Sequence, residues 1–103
     1  MKTILLTIIL TLAANISLAS STAGGYPACV SKEYFNQFTD AINNVDENSY
    51  NYLISNVKCI ITKPDVPITV LNRGFGWSHV RAYSKKGIAI ELWTNSENIK
   101  NNE

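Results

Sequence analysis

The chain is poor in the residues that most site chemistry requires. It has two cysteines, one histidine and one methionine. A structural zinc site takes four ligands, and two cysteines with one histidine at no familiar spacing do not supply them. Charge is sparse and balanced, with nine Lys+Arg against eight Asp+Glu and a formal net charge of +1. Without Lys2 the two signs cancel, so no domain-wide positive field exists to draw nucleic acid or anionic lipid. Histidine is the side chain that titrates near neutral pH, and the chain holds only His79, flanked by Ser78 and Val80. An active site needs a nucleophile, an acid–base pair or a metal in a concave pocket, so the expectation is a protein without catalysis, cofactor or metal. The 103 residues allow one domain.

The start of the chain sets the compartment. Met1-Lys2 is a short positive opening, Thr3 to Ala14 is an apolar run broken only by threonines, and the segment ending at Ala19 turns to small and polar residues. Ser17 and Ala19 stand where signal peptidase requires small side chains. The run is too short to cross an apolar layer of roughly 30 Å as a stable helix, so residues 1–19 read as a signal peptide. Ser21-Thr22-Ala23 offers a second cleavage position. Cys29 follows Tyr26-Pro27-Ala28, ten residues past the first position, which does not fit a lipoprotein signal. The chain is then expected in the bacterial periplasm or outside the cell, with no stable membrane anchor after cleavage. In that oxidising setting Cys29 and Cys59 read as one disulfide, worth about 3 to 4 kcal/mol to a small core in the chain-entropy model.

Residues 20–30 are rich in Ser, Gly and Pro and read as a loose lead-in. Ser31 is a good helix N-cap, with Glu33 in the first turn. Tyr34, Phe35, Phe38, Ala41, Ile42 and Val45 follow at helical spacing, which predicts a helix of about 14 residues. Asp46 caps a second helix, whose stripe is Tyr50, Leu53, Ile54 and Val57. Residues 31–58 thus form a helical hairpin, with Cys29 at its entrance and Cys59 at its exit. Beyond Cys59, β-branched residues and punctuating Pro and Gly predict strands at Ile60–Lys63, Ile68–Asn72, Trp77–Tyr83 and Ile88–Thr94. If Lys85-Lys86-Gly87 is a three-residue hairpin loop with Gly87 left-handed, Arg81 faces Glu91, Val80 faces Leu92 and Ala82 faces Ile90. That register places Val80, Ala82, Ile88, Ile90 and Leu92 on a core face. It places Trp77, His79, Arg81, Tyr83, Glu91 and Trp93 on the other. Residues 100–103 are a polar tail.

Ile68-Thr69-Val70-Leu71, Gly76-Trp77-Ser78-His79-Val80-Arg81, Gly87 and Trp93-Thr94-Asn95-Ser96-Glu97-Asn98-Ile99 together resemble the second half of bacterial Src-homology-3-like (SH3-like) domains. The resemblance covers residues 67–99, a third of the chain. The first half of that family, with its Leu-Asn-Val-Arg segment, has no counterpart here, and Leu92 stands where a glycine usually precedes the last tryptophan. The implied architecture is α+β: an N-terminal helical hairpin, then a small antiparallel SH3-like β-barrel of about four to five strands, forming a single compact domain over residues 31–99, with one disulfide from Cys29 just before it to Cys59. The resemblance also implies that Trp77 contacts ligand.

The residues point to the same surface by a second route. Phe75, Trp77 and Tyr83 stand with Arg73 and His79 off the core face, and aromatics with arginine are the usual substance of binding hot spots. The competing reading is that this face lies beneath the helical hairpin, which must bury its own stripe. Two functions without chemistry follow. One is an SH3-like module engaging a cell-wall peptide or a periplasmic protein. The other is a small periplasmic inhibitor or immunity protein against a toxin or wall-degrading enzyme.

Overall fold

The computed structural model describes residues 20–101; the signal peptide expected over 1–19 and the last two residues of the tail lie outside them. The described elements are β1 (Ser20–Thr22), β2 (Pro27–Cys29), α1 (Lys32–Asn43), α2 (Glu47–Ser55), β3 (Cys59–Ile61), β4 (Pro67–Arg73), β5 (Trp77–Tyr83), β6 (Ala89–Asn95), a 3₁₀ turn (Ser96–Asn98) and β7 (Ile99–Asn101). The strands make one antiparallel seven-stranded open sheet in the order β3-β2-β6-β5-β4-β1-β7.

This architecture corrects the expected one. The helices are not an N-terminal unit, because two strands precede them, and the sheet is larger than a barrel of four or five strands. Residues 20–30 supply β1 and β2 instead of a loose lead-in, and Lys100 and Asn101 belong to β7 instead of a tail. The physical reason is that these strands carry almost no apolar alternation. β1 is Ser-Ser-Thr, and its strand character comes from partners β4 and β7, more than 40 residues away in sequence.

The helices form for local reasons. Ser31 Oγ accepts from the Tyr34 N–H at 3.1 Å, and Asp46 Oδ1 accepts from the Ser49 N–H at 3.2 Å, so each caps its first turn as expected. The Ser49 hydrogen bonds hold the Asp46 carboxyl below its usual range. The cap is therefore complete above the ordinary carboxylate pKa and is lost as pH falls through the depressed value. Both helices end alike. The N–H of Asp46 reaches Ala41 O and that of Val45 reaches Ile42 O, while Lys58 and Val57 repeat the pattern on Leu53 and Ile54. These are Schellman ends with a valine at the left-handed position, φ 52° at Val45 and 56° at Val57. Glycine is favoured there, and a β-branched residue is strained.

Cys29 and Cys59 are opposite each other in β2 and β3 and are bonded, with Cα atoms 4.0 Å apart. The helices leave and rejoin the sheet on either side of that bond. Phe35, Phe38 and Leu53 pack over the disulfide, and the Phe38 and Tyr50 rings lie 5.1 Å apart. The β5–β6 hairpin has the expected register throughout: Val80 opposes Leu92, Arg81 opposes Glu91 and Ala82 opposes Ile90. Gly87, at φ 81°, closes the loop with its N–H on Ser84 O.

One polar side chain ties the distant segments together. Asn98 is completely buried. Its Oδ1 accepts from the Gly24 N–H at 3.0 Å, and its Nδ2 donates to the Thr62 and Thr94 hydroxyls, both at 3.0 Å. Those hydroxyls donate onward to the carbonyls of Tyr26 and Pro27. Truncation to Ala would strand the Gly24 N–H, and a buried unpaired donor costs roughly 1–3 kcal/mol. Asn98→Ala is therefore expected to lower the unfolding free energy by at least about 2 kcal/mol in a denaturant titration. A change under about 0.5 kcal/mol, the range of an ordinary surface substitution, would show that the brace is dispensable.

Candidate functional site

The two faces of the sheet differ in what covers them. On one face, Trp77 and Trp93 pack against the helix-side cluster of Phe35, Phe38, Leu53 and the disulfide. Lys32 Nζ lies 4.6 Å from the Trp77 ring centroid. The ring also abuts the backbone of its own loop, because a Cβ at Gly74 would overlap the indole. The helical hairpin thus uses the tryptophan end of this face as part of its burial surface. Trp77 is half-buried there rather than free.

The other predicted site residues are spread out. Phe75, at the tip of the β4–β5 turn, is wholly exposed at 102%. Arg73 is exposed at the end of β4. His79 stacks on Trp93, centroids 3.9 Å apart and planes 7° apart, and its Nε2 is 2.9 Å from Glu91 Oε1. Arg81 Nη2 is 3.8 Å from the second oxygen of the same carboxylate. Tyr83 pairs its hydroxyl with Thr69 at 3.0 Å, and that hydrogen bond lowers the phenol from its usual pKa. Trp77 and Tyr83 stand at opposite ends of β5, about 20 Å apart at the strand rise. Phe75, Arg73 and Trp77 share one loop and its strand ends; His79 belongs to a strip with Glu91, and Tyr83 to the far end.

The opposite face is open. Val80, Ala82 and Leu92 form its buried floor together with Ala28 and Ile68. Above that floor is a cavity of about 550 Å³ whose walls include Ile60, Ile61, Ile88 and Ile90. These four remain 42%, 46%, 65% and 51% exposed. Ile88 and Ile90 therefore correct the expected core: their side of the hairpin is right, but no described element covers them. The helices lie on the other face, and β2 reaches only Trp93 and Thr94 of β6. Lys63 is the only charged side chain among the described lining residues. An apolar concavity with few polar groups is the usual form of a ligand site. Isoleucines at strand parity signal a core, and sequence alone has no signal for the absence of a cover.

Among the described residues, no three His, Cys, Asp or Glu side chains gather to hold a metal. No described helix is long and apolar enough to cross a membrane. Comparison with protein-family models, curated proteins and solved structures finds no match, and nothing in them identifies an SH3-like domain.

The packing of Trp77 has a direct test in its neighbour. Gly74→Ala should force the indole out of its seat, cost about 1–3 kcal/mol as an overpacked contact does, and shift tryptophan emission to the red. An unchanged stability and spectrum would show that the ring moves freely and is available to a partner.

Proposed function

We propose that the chain is an exported, non-catalytic binding protein that engages a periplasmic protein or a cell-wall peptide through the isoleucine-walled groove. The observation that carries this reading is the groove itself. Four large aliphatic side chains stay about half exposed around one concavity, and contiguous exposed apolar surface of this kind marks interaction sites. Export is supported by the pattern of residues 1–19 and by the Cys29–Cys59 bond, which belongs to oxidising compartments.

A second reading rests on a different feature. Phe75 projects entirely into solvent from a tight turn beside Arg73, which is the form of a plug presented to another protein's pocket. In that reading the chain is an inhibitor or immunity protein, and Phe75, Arg73 and Trp77 form its contact.

Two measurements test these proposals. The first concerns processing. Cleavage after Ala23 would remove β1, whose buried Thr22 donates to Lys63 O and accepts from the Val66 N–H. The intact mass of exported protein should therefore correspond to a chain beginning at Ser20; one beginning at Gly24, or one retaining the leader, counts against it. The second concerns the partner. A photo-crosslinking residue placed at position 90 or at position 75 in the producing cell reports which surface is occupied. Adducts from position 90 support the groove, adducts from position 75 alone support the plug, and none from either defeats both readings.

A further inference from the structure

We infer that the groove accepts an extended peptide segment, which adds as a strand to the free edge of β6 and runs antiparallel to it, its carboxyl end at the Lys85–Lys86 turn. This rests on the groove being the binding surface, and it names the partner's chemistry. β6 runs from Ala89 to Asn95 and is paired with β5 along its whole length. On its other side β2 pairs only with Trp93 and Thr94. Among the described residues, no strand lies beside Ala89 to Leu92 on that side.

The phase of the ladder says which backbone groups are free. Ser84 donates its N–H to Ile88 O in the hairpin, and pairs at Ala82–Ile90 and Val80–Leu92 continue in that phase. Ile88, Ile90 and Leu92 therefore direct N–H and C=O toward β5, while Ala89 and Glu91 turn theirs to the unpaired side. Such an edge is a template for another strand. β2 leaves it after Cys29, where the chain turns away to begin α1 at Lys32. An incoming segment would extend the same ladder in the same direction.

Side chains fix the pattern of the occupant. Positions opposite Ile88 and Ile90 point into the groove, toward the wall that carries Ile60, and call for apolar residues. Positions opposite Ala89 and Glu91 point to the other face, where Glu91 already holds His79 and Arg81, and call for polar ones. The partner is thus an alternating apolar–polar segment. Antiparallel addition brings its carboxyl end to the hairpin loop, where Lys85 and Lys86 are exposed. Two exposed lysines make that end of the slot complement a carboxylate. An acyl chain would satisfy the isoleucines but would leave the edge amides of Ala89 and Glu91 unused, which is why a peptide is the better occupant.

The probe is a fluorescent eight-residue peptide of alternating valine and threonine with a free carboxyl terminus, titrated by anisotropy into the mature, oxidised protein. Saturable binding is expected. N-methylating the alternate amides that face β6 should weaken it by at least about ten-fold, the equivalent of one or two lost hydrogen bonds; methylating the other set should change it little. Ala89→Pro, which removes an outward N–H that β5 does not use, should weaken binding likewise while far-ultraviolet circular dichroism is retained. Should that variant fail to fold, the methylated peptides still decide. Amidating the carboxyl terminus, or Lys85→Glu with Lys86→Glu, should weaken binding several-fold. Binding insensitive to either methylation pattern but abolished by Ile90→Asp would leave the groove as an apolar site and overturn strand addition. No binding at millimolar peptide, with crosslinks at position 90 intact, would overturn it as well. A dimer that Ile90→Asp dissociates would make the occupant a second copy of this chain. Loss of crosslinks at position 90 would instead remove the groove reading itself.

Discussion

The buried carboxamide of Asn98 is the point through which distant segments of the sheet are tied together. The chain returns from β6 through a single 3₁₀ turn, and Asn98 sits at the end of that turn with no exposure to solvent. A buried polar side chain is tolerable only when its partners are all present. Here its partners are the Gly24 amide and the hydroxyls of Thr62 and Thr94, and through them the Tyr26 and Pro27 carbonyls. The strand that precedes the helices, the one that follows them and the last long strand are thereby held in one geometry. A leucine of similar volume could fill the space but could not fix the three segments in register.

Around that brace the molecule divides into two unequal halves. The disulfide lies at the boundary, opposite in β2 and β3, with the helices closing over it on one face. That face is well covered: the tryptophans, the disulfide and the helix stripes bury one another. The other face has a floor but only partial walls. A sheet of this size with helices on one side needs a second layer to bury its other side, and the described chain provides only the edges of one, around Val66 and Ile99. The apolar surface left over is the groove, and its existence follows from where the helices were placed.

The same division explains why the aromatic residues and the site do not coincide. Aromatics on a strand's second face look like a binding patch when the sheet is taken alone. Two short amphipathic helices with Phe35, Phe38 and Leu53 to bury must find an apolar surface, and the tryptophan end of that face is the one they meet. Phe75 escapes because it sits in a turn beyond the helices' reach. His79 and Arg81 are drawn to Glu91 across the hairpin, so their polar groups serve a local cluster.

How much of this is legible without coordinates depends on range. Ser31 and Asp46 cap helices because their oxygens reach an amide three residues on, and the β5–β6 register follows from Gly87 and strand parity, so both can be read from neighbouring residues alone. The cysteine pair was legible for a different reason, since two thiols flanking two helices have only each other. β1 was not legible: Ser20, Ser21 and Thr22 have no strand pattern and become a strand because β4 and β7 present unpaired backbone on either side. Nor was the groove, since Ile88 and Ile90 carry the same local pattern whether or not something covers them. Local hydrogen-bond geometry and side-chain parity are written residue by residue. Which face is covered, and which edge is left free, depends on contacts between segments dozens of residues apart, and those exist only once the chain has folded.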